Sequence, residues 1–172
     1  MKIAYTTAPG RGDTDLILSR LAGTLAAQGY ETCGTVQINT ECTSGPCDMD
    51  VNVLPDGPIL RISQDLGQAS KGCRLDPAAL EAAVGLAQAR LNTNVDLLII
   101  NKFGKHEADG RGFRTIIANA LDLEVPVLVG VNALNLPAFR DFVGPEASQL
   151  EPSESALLAW CQTVLNSERQ MA

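Results

Sequence analysis

The stretch "VDLLIIN", residues 95–101, constrains the fold more than any other. A strand with one wet face alternates apolar and polar side chains. A run without alternation is buried on both faces, and that occurs in parallel sheets covered by helices on each side. "VPVLVGV", 125–131, has the same character, and "KIAYT", 2–6, reads as a third buried strand. Helical patterns separate them. In "TDLILSRLAGTLAAQG", 14–29, Leu16, Ile17, Leu21, Leu25 and Ala26 recur near helical spacing, and Gly29 supplies the stop. Asp76-Pro77 opens a second helix that runs to about Asn92, with Asp76 as N-cap and Pro77 in the first turn. Further helices are expected over 113–123, 136–142 and 153–166. "ETCGTVQ", 31–37, is another strand, and two short ones, 51–54 and 59–63, are joined by the turn "PDGP". Strands alternating with helices specify an α/β fold, a mostly parallel sheet with an antiparallel hairpin addition, in one domain over 1–172.

In such sheets ligands sit at the carboxyl ends of the strands, which directs attention to the loops 7–14, 64–75 and 102–112. The first, "TTAPGRGDT" at 6–14, lies where a strand ends and a helix begins. Laid over the phosphate-loop pattern G-x-x-x-x-G-K-[ST], it keeps Gly12 and Thr14 but has Thr7 for the first glycine and Asp13 for the lysine. Gly10 and Gly12 let backbone N–H groups turn inward, the helix adds its positive end, and Arg11 adds a charge. Alone, the loop reads as a capped turn with Asp13 as N-cap. The loop "NKFGKHEADGRGF" adds Lys102, Lys105 and Arg111 after Asn101, and "SKGCRLDP" adds Lys71 and Arg74 around Cys73, the cysteine best placed for a lowered pKa. His106 has no nucleophile partner in the pattern and reads as a loop-surface histidine.

Composition narrows the partners. A net charge of −7 argues against a general nucleic-acid or acidic-membrane binder, so any positive site is local. With one Trp, two Tyr and four Phe there is little to stack bases on. No stretch approaches the roughly 20 apolar residues of a membrane span, and the N-terminus lacks a signal-peptide pattern. The expectation is a cytoplasmic protein with its five cysteines reduced and a small anionic ligand as partner. Cys42 and Cys47, with Cys33, Cys73 and Cys161 scattered, do not have zinc-ligand spacing, so no structural metal is expected.

Two resemblances follow from the motifs. "SKGCRLDPAAL" and "NKFGKHEADGRGF", with "DLGQ" and "VPVLVGV" around them, resemble the bacterial family catalogued as domain of unknown function 2478, over nearly the whole chain. That family's genes often lie near molybdate-uptake genes. More distantly, the layout is similar to the cancer-related nucleoside-triphosphatase family, which implies a P-loop NTPase-like three-layer sandwich. Its "DEIGKME" region aligns with Asn101–Glu107, "NKFGKHE". The family's magnesium-binding Asp then falls on Asn101, its adjacent Glu on Lys102 and its loop Lys on Asp13, while Lys105 and Glu107 keep family character.

The departures read as a charge exchange: a carboxylate on the loop, and lysines where magnesium-holding carboxylates belong. The leading expectation is a P-loop-like protein binding ATP, GTP or a similar phosphate-type anion, with magnesium doubtful and hydrolysis weak or absent. The site would comprise Gly10, Arg11, Gly12, Asp13, Thr14, Lys71, Cys73, Arg74, Asn101, Lys102, Lys105 and Arg111. One alternative is a molybdate- or tungstate-binding protein using the same pocket. Another is a nucleoside-triphosphatase with relocated catalytic residues, Glu107 or Asp109 holding the metal and Lys102 replacing the loop lysine. The last is a partner-binding domain without a ligand.

Overall fold

The structure, a computed structural model, describes residues 2–10, 12–39, 48–64 and 74–169. Strands β1 (Ile3–Thr6), β2 (Thr32–Asn39), β3 (Met49–Leu54), β4 (Ile59–Arg61), β5 (Leu97–Phe103), β6 (Val127–Val131) and β7 (Ser148–Leu150) form one sheet in the order β4-β3-β2-β5-β6-β1-β7. Strands β2, β5, β6, β1 and β7 run parallel, and β3 and β4 add an antiparallel edge.

Helices cover both faces, as the unbroken apolar strands require. α1 (Asp13–Ala27) and α6 (Glu154–Arg169) bury Leu18, Leu21, Leu25 and Leu157 against Leu97, Ile99 and Leu128. α2 (Pro77–Arg90), α4 (Arg114–Asp122) and α5 (Leu136–Val143) bury Leu80, Ile116, Ile117 and Phe139 against Leu98, Ile100 and Val129 on the other side. Successive β5 residues therefore alternate between two cores, which is why its sequence shows no polar face. Two pieces are short, α3 (Lys105–Ala108) and a 3-10 turn, Ala133–Asn135.

The expected elements form, with boundaries shifted by a few residues. Asp76 caps α2, its carboxylate accepting the N–H groups of Ala78 and Ala79 at 2.9 and 3.2 Å. The 102–112 loop contains α3, and β7 joins the edge beside β1. Neither has a hydrophobic period to announce it, since a strand of three residues and a helix of four are too short. β2 runs to Asn39 and β3 starts at Met49, and residues 40–47 and most of the segment 64–75 lie outside the described residues.

Order within the sheet puts β6 between β1 and β5, so the loop after β1 and the loop after β5 are one strand apart, roughly 10 Å at ~4.8 Å per strand. The strand ends are tied across this edge. Thr7 Oγ1 donates to the Val131 carbonyl at 3.0 Å, and Asn132 N–H donates to the Phe103 carbonyl at 3.1 Å.

β2 depends on one glycine. Gly34 has φ 107°, and a Cβ there would collide with the Ile99 carbonyl of the neighbouring strand. Gly34→Ala should cost about 2–4 kcal/mol. Urea denaturation should show the midpoint falling at unchanged slope, and an unchanged midpoint would contradict this account of the β2–β5 contact.

Candidate functional site

The helix N-terminus after β1 is built from backbone. Gly12 occupies the N-cap of α1 in the left-handed region at φ 86° and makes no side-chain cap hydrogen bond. Asp13 is the first helical residue rather than the expected N-cap: glycine takes that place because the chain enters the helix at positive φ. The Asp13 side chain instead folds back over the loop, where a Cβ on Gly10 would collide with its carboxylate. A side chain at position 10 would displace the Asp13 carboxylate from this place. Asp13 is exposed, whereas Thr14 and Asp15 are buried. Thr14 Oγ1 accepts the Ala8 N–H at 3.0 Å, so the threonine hydroxyl closes the loop on itself. Asp13 N–H donates to the Gly10 carbonyl at 3.4 Å and Leu16 N–H to the Gly12 carbonyl at 3.0 Å, and the helix presents its positive end to this loop.

β5 brings the second part of the site. Asn101 is 1% exposed, and neither Nδ2 nor Oδ1 has a hydrogen-bond partner among the described residues. Leaving a buried amide in that state costs about 1–3 kcal/mol per group, which marks it as a place awaiting a partner. Its position is fixed by Gly130 on β6. A Cβ on Gly130 would lie 2.7 Å from Leu18 Cδ1, 2.9 Å from Thr14 Cγ2 and 3.2 Å from Asn101 Oδ1. The first turn of α1 and the end of β5 therefore meet over a glycine that has no side chain to hold them apart. The β5–β6 register shifts between Asn101 and Phe103. The Lys102 ammonium reaches α1, where Nζ lies 3.6 Å from Asp15 Oδ2. Its charge is thus directed in part at a carboxylate of the helix.

The other basic residues are placed as follows. Lys105 is exposed at the start of α3, and Arg111 is exposed further along the same loop, where its charge acts on Glu81 of α2. Arg74 Nε donates to the Gln64 carbonyl at 3.1 Å, and Nη2 lies 3.6 Å from Asp48 Oδ1 beside the start of β3. That is four strands from β1, roughly 19 Å by strand spacing. Arg11, Lys71 and Cys73 lie outside the described residues, as do Cys42 and Cys47.

Glu107 and His106 organise their own loop. Glu107 is 2% exposed, and its two oxygens accept the N–H groups of Gly104 at 2.9 Å and Phe113 at 3.3 Å. Burial pushes its carboxyl above the usual range, with those N–H groups pulling the other way. Gly112 is needed beside it, because a Cβ there would collide with Glu107 Oε1. His106 is buried, not on the loop surface as its sequence context implied. Its Nε2 lies 2.7 Å from Glu81 Oε1, which also accepts the Gly112 N–H at 3.0 Å. This hydrogen bond from His106 holds the Glu81 carboxyl below the ordinary value. The loop is thereby fastened to α2. No sequence period links position 81 to 106, so the pair was invisible before folding. Gly130 and Asp15 were legible signals passed over: a glycine inside an apolar strand marks a close backbone approach, and an acid in a helix's first turn complements the dipole.

With this geometry established, comparison with known proteins places the chain. It belongs to the family described as "Protein of unknown function (DUF2478)", whose model matches residues 3–160. Two solved structures share its fold. THEP1 from Aquifex aeolicus superposes with a TM-score of 0.65 at 17% identity, over 97% of this chain and 98% of that one. A human cancer-related nucleoside triphosphatase superposes with a TM-score of 0.65 at 13% identity, over all of both chains. The α/β fold, with its mostly parallel sheet covered by helices, is the one these two structures have. A curated relative, "Molybdenum import ATP-binding protein ModC 2" of Bradyrhizobium diazoefficiens, is 34% identical over 162 residues, which is 92% of this chain but 18% of that protein's length.

The Glu107 environment has a testable sign. Because burial raises its folded-state value, the folded chain keeps this proton to higher pH than the unfolded chain does. The group's stabilising contribution is complete below the ordinary glutamate value and is lost as pH rises through the raised one. Glu107→Gln should cost about 1–3 kcal/mol, since one backbone N–H then faces an amide NH₂. Urea unfolding between about pH 4 and about pH 7 should show the gap to wild type narrowing as pH rises, and a gap that widens would contradict the assignment.

Proposed function

We propose that this family member binds a nucleotide or a similar phosphate-type anion at the N-terminal end of α1, with weak or absent hydrolysis. The observation that carries the reading is the first turn of α1, whose N-cap glycine makes no side-chain cap hydrogen bond, next to the Asn101 amide, which has no partner among the described residues, across Gly130. A helix end of this kind offers N–H donors and a positive dipole, and a buried carboxamide offers one more donor set and an acceptor. The shared fold with two P-loop proteins supports the location, since their fold places phosphate at this loop.

Weak hydrolysis follows from the residues present. An attacking water needs orientation, and the phosphates need charge neutralisation; in P-loop enzymes Mg²⁺, a carboxylate and the loop lysine supply these. Here the corresponding positions are Asn101, Lys102 and Asp13. Asn101 is neutral and holds a divalent ion poorly compared with a carboxylate. Lys102 supplies charge shared with Asp15. Glu107, the other candidate for a metal, has both oxygens on backbone N–H groups, so the reading with relocated catalytic residues receives less support. Binding of molybdate or tungstate in the same loop is the second reading, favoured by one observation, the name of the relative that is 34% identical.

Two results test the proposal together. Chelator-treated protein should be stabilised by ATP or GTP without Mg²⁺, by about 2.7 kcal/mol at 100 times the dissociation constant. Asn101→Leu should raise the stability of the ligand-free protein by about 1–3 kcal/mol, because an unsatisfied buried amide is replaced by an apolar group of similar size. The same variant should lose at least about tenfold in nucleotide affinity, the equivalent of one lost hydrogen bond of ~1.4 kcal/mol. Stabilisation by molybdate or tungstate and by no nucleotide would favour the second reading. An Asn101→Leu protein that binds as tightly as wild type would remove the amide from the site.

A further inference from the structure

The outer face of α2 is unlike that of a helix covered by solvent. Its inner residues Leu80, Ala83 and Ala87 are buried in the core, and from Ala78 onward its exposed residues are Ala78, Glu81, Ala82, Gly85, Leu86 and Ala89. A surface helix ordinarily carries charged and polar side chains away from the core, whereas one that is apolar all round is covered all round. Glu81 is the only charge in the outer set, and it is drawn aside to His106 and the Gly112 N–H. What remains is a strip of small residues with Leu86, 40% exposed, standing in it. Gly85 adds a separate signal. Glycine inside a helix weakens it relative to alanine, and its use is to let another backbone approach closely. A Cβ on Gly85 would meet nothing within 4 Å among the described residues, so the fold of the single chain does not call for glycine there.

We propose that this strip is where two copies of the chain meet, α2 against α2 in antiparallel orientation, about a twofold axis between Gly85 and Leu86. The residues themselves select that partner and that direction. The axis seats Leu86 of each copy over the partner's Gly85, a knob over the gap that the missing side chain leaves, and symmetry makes the contact twice. It sets Ala82 over the partner's Ala89, small against small. It also brings Glu81, whose side chain is 47% exposed, opposite the partner's Arg90, a side chain that is 38% exposed. A parallel pair would instead set Glu81 against Glu81 and Arg90 against Arg90, and like charges in juxtaposition are repelled. The bond from Asn119 to Gln88 at 3.1 Å ties α4 alongside α2, so Leu123, 40% exposed at the end of α4, extends the apolar face. A face about 21 Å long and little wider than one helix is small, so the dimer is a reversible one.

Sedimentation velocity of the whole chain across about 1–200 µM should show a monomer–dimer equilibrium. Leu86→Glu and Ala82→Glu change exposed positions, so their circular dichroism should stay native while self-association weakens at least about tenfold. Gly85→Ala separates the helix from the contact. The dilute chain should melt higher, because alanine strengthens a helix in open space, and the dimer should weaken. Cysteine pairs read the orientation. Gly85→Cys lies beside the axis and should cross-link to its copy under mild oxidation. Ala78→Cys, about 20 Å from its copy in this pairing, should cross-link no more than wild type. A chain that stays monomeric throughout the range, or a dimer untouched by both glutamate variants, would overturn the proposal. Cross-linking at position 78 equal to that at position 85 would overturn the antiparallel arrangement.

Discussion

The site depends on one close approach. At Gly130 the backbone of β6 passes directly beneath the first turn of α1, with Leu18, Thr14 and Asn101 each within 3.2 Å of where a Cβ would stand. Any side chain at that position would separate the helix from the strand ends. Because there is none, the side chain of Thr14 in the first turn of α1 and the carboxamide of Asn101 on β5 approach each other over it, though β5 and β1 are not neighbours in the sheet. Thr14 closes the loop from inside by accepting the Ala8 N–H, and Thr7 fixes its outer side to the end of β6. These contacts give the loop a defined shape without a bound ligand, which is the preorganisation an anion site needs.

The charges around that volume differ from those of a nucleotide-hydrolysing loop. On the proposed reading, Asp13 stands where such a loop has lysine and Asn101 where it has a metal-holding carboxylate, while the Lys102 ammonium lies 3.6 Å from Asp15 Oδ2. The arrangement keeps hydrogen-bond donors and reduces net positive charge. On that reading it is poorly equipped to drive a phosphoryl transfer, whose transition state spreads negative charge that must be neutralised. Meanwhile the loop after β5 is stiffened by Glu107 from within and by the His106–Glu81 contact from α2. Those buried polar groups serve the frame around the site.

Much of the frame was readable from the sequence. The unbroken apolar runs of β5 and β6 specified a sheet with two covered faces, and Asp76-Pro77 announced α2, because these features depend on local chemistry and periodicity. The pairing of the loop after β1 with Asn101 was legible from strand-end logic and a family resemblance. What depended on three-dimensional proximity was not. Of the basic residues expected around the loop, Arg74 lies beside Asp48 at the start of β3, four strands from β1, and Arg111 faces Glu81 of α2. Asp13 matches a helix cap by residue type, yet the positive φ of Gly12 moved the cap back by one residue. His106 was misread because its carboxylate partner lies 25 positions away on another helix.

The most direct test is an NMR titration of chelator-treated, ¹⁵N-labelled protein with ADP and ATP. The account requires the backbone amides of Gly10, Gly12, Asp13 and Thr14 to shift together with the side-chain NH₂ of Asn101, along one saturating curve. Shifts confined to other surfaces, or an Asn101 NH₂ that stays fixed while the loop amides move, would contradict it.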